Sequence, residues 1–215
     1  MCDLGLASEL QQRAGGLARL AMPCKLDHQI TPNVWGNHNM LDLTGKVAFV
    51  TGAGSVGEDP DSVVWGNGKA TAVLLARQGA KVYGVDLRDQ AADVTKTIIE
   101  REGGVCAIRG VDMTKAEDVE AAVADCIERF GRIDILVNNV GGSAPGSAVT
   151  MEEDVWDTQI DHNLKTTFLG CKYVLPVMQR EGGGAIVNIA SVAGLRMSAD
   201  RPHVAYSTTK LGLFA

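Results

Sequence analysis

Tyr206 and Lys210 lie near the end of the sequence, separated by three small hydroxyl residues. If this stretch is helical, side chains four positions apart share one face, with their Cβ atoms roughly 5–6 Å apart. A free phenol loses its proton only near pH 10, and an ammonium beside it favours the phenolate. The pair therefore predicts a phenol suited to acid/base catalysis near neutral pH.

A glycine-rich segment, TGAGSVGEDPDSVVWGNGKATA, follows the first apolar run. Gly52 would allow the chain to turn, while Gly66 and Gly68 would allow the backbone to approach a pyrophosphate. The N–H groups of a helix that begins there would bind this anion. Residues 56–65 interrupt the loop, and their three acids and one proline predict that they bulge away from the phosphates.

Two aspartates end the next apolar runs. Asp86 follows Gly68 by 18 residues, where a carboxylate accepts hydrogen bonds from ribose hydroxyls and repels a 2′-phosphate. This predicts NAD in preference to NADP, although Arg88 could instead bind a phosphate. Asp112 could reach an adenine or could serve as a turn or helix-capping residue. Ser191 ends a later run, at the edge where open parallel sheets bind ligands.

Apolar runs and amphipathic segments alternate between these groups. The runs predict strands over 46–52, 81–87, 105–112, 133–139 and 185–191. Helical spacing predicts helices over 68–79, 89–104 and 115–131, and one long helix or two over 151–184. Such alternation requires a parallel sheet that is covered on both faces. We therefore expect a doubly wound α/β fold with three layers, α/β/α.

Composition excludes several other classes of protein. A net charge of −6 and the absence of a polybasic run argue against nucleic acid as a partner. No apolar run approaches the roughly 18 residues of a membrane span. Five widely spaced cysteines without a C-x-x-C motif indicate free thiols, no metal site and a cytoplasmic location. Residues 1–40 lack a sustained hydrophobic periodicity, and we expect them to form a disordered extension before a domain over 41–215.

Six short motifs, in this order, resemble those of the short-chain dehydrogenase/reductase family. The resemblance covers residues 41–215. The matching segments are TGAGS…GNG (Thr51, Gly52, Ser55, Gly66, Asn67, Gly68), VDM (Asp112), NNVG (Asn138, Val140, Gly141), DHNLKTTF (Asn163), IVNIAS (Ser191) and YSTTK (Tyr206, Lys210). The departures from the family pattern are the insert in the glycine loop and Val140 in place of alanine.

The resemblance implies a Rossmann-type fold and hydride transfer between the nicotinamide of NAD(P) and the carbon of a small alcohol or ketone. Tyr206 would exchange the hydroxyl proton, and Lys210 would tune Tyr206 and hold the nicotinamide ribose. Ser191 would orient the reacting oxygen, and Asn163 would anchor a water that links Lys210 to solvent. The cofactor site would be lined by Asn138 and the backbone of Val140 and Gly141.

The family continues past the Tyr–Lys helix, whereas this sequence stops at Ala215. The expectation is therefore a domain that lacks its last strands, with little solubility or activity when expressed alone. Family likeness also suggests a homo-oligomer. Two alternatives remain: a catalytically inactive nucleotide-binding fragment, and an NADPH-dependent carrier-protein ketoreductase, which Asp86 disfavours. The sequence does not name the substrate.

Overall fold

A five-stranded parallel sheet organises the computed structural model, which describes residues 41–55, 65–197 and 200–214. The strands are β1 (Val47–Thr51), β2 (Lys81–Asp86), β3 (Cys106–Gly110), β4 (Ile135–Asn138) and β5 (Ala185–Asn188). The helices are α1 (Asn67–Arg77), α2 (Asp89–Arg101), α3 (Ala116–Phe130), α4 (Glu153–Ile160), α5 (Thr166–Arg180) and α6 (Val204–Gly212). A π-helical turn, Asp161–Lys165, joins α4 to α5, and a short 3-10 helix, Val192–Gly194, follows β5.

The strand order is β3-β2-β1-β4-β5, and every pairing is parallel. The chain therefore starts in the middle of the sheet, runs outward through β2 and β3, and then returns to the other side of β1 with β4. This reversal opens a crevice at the carboxyl ends of β1 and β4, where ligands bind in doubly wound sheets. The predicted fold class is confirmed.

The two faces of the sheet are covered by different helices, as the alternation of side chains along β1 shows. Val47 and Phe49 pack in a cluster with apolar residues of α3 and α5, and Ala48 and Val50 pack with those of α1 and α2. All five residues of β1 are buried. Because both faces of a central parallel strand are covered, the run is continuously apolar.

The elements are shorter than the predicted runs, and the reason is the geometry of the strand ends. At the end of β1, Gly52 has a φ of +64°, which ends the extended conformation. After β5 the chain bends, since Ala190 donates its N–H to the carbonyl of Asn188. The segment predicted over 151–184 is one helical stretch from Glu153 to Arg180 that contains the π-helical turn.

Some expectations fall on residues outside the described part of the chain. These are the extension over 1–40 and the outward bulge of the insert, of which Trp65 alone is described. Within the described ranges, no helix is long and apolar enough to cross a membrane, and no cluster of side chains could hold a metal ion. Cys106, Cys126 and Cys171 are free thiols, as the sequence predicts for these three.

Candidate active site

A cavity of about 570 Å³ lies at the carboxyl ends of the strands. Its walls come from the glycine-rich loop, the ends of β2, β4 and β5, and α6. The lining residues are Gly52, Gly54, Ser55, Gly66, Asn67, Gly68, Asp86, Leu87, Arg88, Asn139, Val140, Gly141, His162, Ile189, Ala190, Ser191, Tyr206 and Lys210. Most of the predicted site residues therefore meet at one edge of the sheet, as the strand topology requires.

The glycine loop is packed so closely that side chains are excluded. A Cβ at Gly68 would overlap the carbonyl oxygen of Gly52, so the start of α1 can lie against the loop only with glycine at this position. Ser55 accepts a hydrogen bond from the N–H of Gly66 at 2.8 Å, which brings together the two ends of the segment between them. The first turn of α1, which begins at Asn67, contains no acid, so its free N–H groups can receive an anion.

Asp86 lies on the cavity wall at the end of β2. Its two carboxylate oxygens each accept one backbone N–H, from Gly54 at 2.9 Å and from Arg88 at 3.1 Å. These bonds fix the carboxylate beside the glycine loop. The exposed side chain of Arg88 lines the same cavity. An acidic and a basic side chain therefore lie together at the end of the cavity beside β2.

The two asparagines that end β4 have different surroundings. Asn138 is buried away from the cavity and donates to Asn188 Oδ1 at 2.9 Å. Asn139 lines the cavity, and its Nδ2 donates to the carbonyls of Thr51 and Gly52. Asn138 therefore lies outside the cavity wall, and its expected contact with the cofactor stays a prediction. Asn139, the second residue of the NN doublet, lies in the wall instead.

Thr51 contributes to the site by holding its backbone in place. This buried side chain does not line the cavity, and its Oγ1 accepts the N–H groups of Asn139 at 2.9 Å and Val140 at 3.3 Å. The carboxyl end of β1 is thereby joined to the segment that follows β4. Val140 and Gly141 lie in the cavity wall as expected.

Tyr206 and Lys210 line the cavity from α6, one helical turn apart. The ammonium of Lys210 lies 5.8 Å from the centroid of the Tyr206 ring and donates to the carbonyl of Ile189 at 2.7 Å. Lys210 is almost fully buried, and this burial lowers the pKa of its ammonium. The observed arrangement is the face-sharing pair that the i, i+4 spacing predicts.

Ser191 and Asn163 are held by the backbone around the site. Ser191 lines the cavity, and its Oγ accepts the N–H of Ala193 at 3.2 Å. Asn163, in the π-helical turn, is fully buried and is not a lining residue. Its side chain accepts the N–H of Gly142 and donates to the carbonyl of the same residue, both at 2.9 Å. Asn163 thus braces the loop after β4, and its proposed contact with a water stays a prediction.

Asp112, like Thr51, Asn138 and Asn163, is a predicted site residue that does not line the cavity. Its carboxylate accepts the N–H and the hydroxyl of Thr114 at 3.0 and 2.7 Å, and these bonds hold its pKa below the ordinary value. The geometry matches the alternative of a turn residue, and contact with an adenine stays a prediction. The cavity wall also includes His162, for which the sequence suggested no chemistry.

Comparison with known proteins identifies the family. The family model described as short chain dehydrogenase matches residues 46–215. A D-threitol dehydrogenase from Mycolicibacterium smegmatis is 38% identical over 173 residues, and an NAD-dependent glycerol dehydrogenase from Listeria innocua is 36% identical over 173 residues. Each alignment covers 80% of this chain, and 61% and 62% of the respective relatives.

The solved structures agree with the sequence comparison. One that is described as a short-chain dehydrogenase/reductase from Burkholderia xenovorans has 47% identity and a TM-score of 0.75, covering 80% of this chain and 66% of that one. The chain thus spans about three fifths to two thirds of the length of these relatives. On the family match, the shared fold and the shared motifs, the chain belongs to the short-chain dehydrogenase/reductase family.

Proposed function

We propose that the chain carries the cofactor-binding and catalytic part of an oxidoreductase that transfers a hydride between NAD(P) and the carbon of an alcohol or ketone. The observation that carries the proposal is the meeting of Tyr206, Lys210 and Ser191 with the glycine loop in one cavity. A phenol, an ammonium and a hydroxyl there can handle a proton and orient an oxygen.

The cavity fits a dinucleotide. The close contact between Gly68 and the carbonyl of Gly52 holds the glycine loop against the start of α1, whose free N–H groups can receive the charge of a pyrophosphate. Asp86, held by two backbone N–H groups, can accept hydrogen bonds from ribose hydroxyls. When bound, the nicotinamide would accept or supply the hydride.

The catalytic side chains would each have a separate task. Tyr206 would take the proton from an alcohol or return it to a ketone oxygen. Lys210 would hold the nicotinamide ribose beside Tyr206, since its ammonium lies 5.8 Å from the centroid of the Tyr206 ring. Ser191 would donate a hydrogen bond to the reacting oxygen and hold it in place.

Asp86 supports NAD in preference to NADP, because a carboxylate at this position repels a 2′-phosphate. The names of the D-threitol and glycerol dehydrogenases support a small hydroxylated substrate. The free thiols of the described cysteines support a cytoplasmic location. Membership of the family supports self-association of the protein.

The test combines binding with turnover. NADH and NADPH are titrated against the 215-residue chain by fluorescence, and NAD reduction is followed with small diols and secondary alcohols. We expect NADH to bind more tightly than NADPH, and Tyr206→Phe to retain NADH binding while losing turnover by about a hundredfold or more. Failure to bind either nucleotide would refute the proposal, and measurable turnover that is equal in the wild type and Tyr206→Phe would remove Tyr206 from the mechanism.

A further inference from the structure

A second cavity, of about 620 Å³, lies between the segment after β4 and the segment that leads into α6. Its lining includes the hydroxyl groups of Ser143 and Thr150, the imidazole of His203, and the opposite charges of Asp200 and Arg201. None of these residues lines the first cavity. The second cavity therefore has a chemistry of its own.

His203 is fixed in the wall of this cavity by its side chain and by its neighbours. Its Nδ1 lies 3.1 Å from Oγ of Ser143. On either side of His203, Pro202 accepts the N–H of Gly146 at 2.9 Å and Val204 donates to the carbonyl of Gly146 at 3.0 Å. Three hydrogen bonds, one of which involves the imidazole, thus hold the start of α6 against the segment after β4.

The same imidazole contacts the phenol of the first cavity. The rings of His203 and Tyr206 meet edge to face, with their centroids 6.3 Å apart. His203 therefore lies where the two cavities approach each other. Within the described part of the chain, the bond to Ser143 occupies one ring nitrogen, and the other is available to a ligand.

The chemistry of the second cavity favours a neutral ligand with hydroxyl groups. The charges of Asp200 and Arg201 offset each other, so no net charge selects an anion or a cation. A neutral imidazole and a hydroxyl group each both donate and accept hydrogen bonds, so they are matched partners. Because the two rings are close, one small molecule could bind both through oxygens on adjacent carbons.

We propose that His203, positioned by Ser143, hydrogen-bonds a second hydroxyl of the substrate, on the carbon next to the reacting one. The site would then take vicinal diols and α-hydroxyketones in preference to simple alcohols. This inference rests on the proposed function, because it places the reacting oxygen at Tyr206. His203 acts as a specificity-determining residue, and Ser143 acts through it.

The experiment measures binding, so it does not depend on turnover. Dissociation constants of 1,2-propanediol and 2-propanol, which share a secondary alcohol carbon, are measured by saturation-transfer NMR on the full chain with and without NAD. We expect the diol to bind about five- to tenfold more tightly, the value of one hydrogen bond. His203→Leu should abolish this preference, Ser143→Ala should reduce it, and His203→Gln, which keeps a donor and an acceptor, should retain part of it.

Thr208→Ala is the matched control, since Thr208 is exposed on α6 and its hydroxyl bonds only within the helix, to the carbonyl of Val204. It should leave the preference unchanged.

Equal binding of the two alcohols by the wild type, or an undiminished preference in His203→Leu, would overturn the proposal. Tighter binding of lactate than of the diol, lost in His203→Leu, would also overturn it in favour of an acid. Loss of NADH binding alone would count against the proposed function, while the diol preference measured without NAD would still decide the role of His203.

Discussion

Lys210 donates a hydrogen bond from Nζ to the carbonyl oxygen of Ile189 at 2.7 Å. This bond joins α6 to the chain just after β5, two residues before Ser191. Tyr206 and Ser191 belong to different elements, so the bond helps to fix the distance between the phenol and the hydroxyl. A displacement of about 1 Å at a reacting group can cost on the order of a hundredfold in rate.

Replacing Lys210 with methionine removes both this bond and the ammonium beside Tyr206. A hydrogen bond to a charged group contributes about 1.5–3 kcal/mol, so we expect NADH to bind roughly tenfold or more weakly if the ribose also uses this ammonium. Lys96→Met, on the partly exposed side of α2, is the control and should bind NADH as the wild type does. Fluorescence titration measures both; unchanged affinity in Lys210→Met would show that the lysine does not reach the cofactor.

The adjacent glycines 141 and 142 provide a matched pair of substitutions. A Cβ at Gly141 would lie 2.7 Å from Oδ1 of Asn163 and 3.1 Å from Nζ of Lys210, whereas a Cβ at Gly142 would meet nothing within 4 Å. Gly141→Ala should therefore displace the Asn163 and Lys210 side chains, weaken NADH binding about fivefold or more and lower the free energy of unfolding by about 1–3 kcal/mol. Gly142→Ala should change neither. Similar behaviour of the two variants in titration and thermal unfolding would contradict the close packing at Gly141.

Sequence periodicity predicts the strands well because a parallel sheet that is covered on both faces requires continuous apolar runs. The glycine loop and the Tyr206–Lys210 pair are also predictable from sequence, because each depends on local backbone geometry: a turn that excludes side chains, and the i, i+4 spacing of a helix. The π-helical turn that buries Asn163 is not predictable in this way. Within this turn, the side chain of Asn163 is hydrogen-bonded to the backbone of Gly142, which is 21 residues away in the sequence.

The side-chain direction of Asn138 and the lining of the second cavity also could not be predicted from sequence periodicity. An NN doublet does not indicate which asparagine lines the cavity until the end of the strand is known to within one residue. His203 gains its partner from Ser143, 60 residues earlier. Contacts over such distances follow from tertiary packing, which periodicity does not report.

Cofactor preference should depend on Asp86. Asp86→Ser removes the carboxylate but retains a hydroxyl acceptor, and Arg88 would then face a 2′-phosphate without the opposing charge. We expect the ratio of the NADPH to the NADH dissociation constant to fall by about tenfold or more. Arg88→Ala should move the ratio in the opposite direction. A ratio that stays constant in Asp86→Ser would mean that this carboxylate does not select the cofactor.

Asp134 should be a major source of stability and of its pH dependence. This buried carboxylate accepts the N–H of Val47 at 2.9 Å, the ammonium of Lys46 at 3.2 Å and two bonds from Arg132 at 2.8 and 2.7 Å. Burial alone would raise the pKa of Asp134, but the hydrogen bonds from Arg132, Val47 and Lys46 outweigh it and lower that pKa below the ordinary 3.8. The ionised form is therefore more stable in the folded chain than in the unfolded one.

Because the folded-state pKa is depressed, the stabilisation is present above the unfolded value of 3.8 and is lost as the pH falls through the folded value. We expect Asp134→Asn to lower the free energy of unfolding by about 2–4 kcal/mol at pH 7, since it leaves Arg132 and Lys46 without their buried partner. The difference from the wild type should shrink below about pH 4. Denaturant unfolding at pH 7 and pH 3.5 measures this, with Asp93→Asn on the exposed side of α2 as the control. A difference that stays constant between these two pH values would show that the charge of Asp134 is not what stabilises the start of β1.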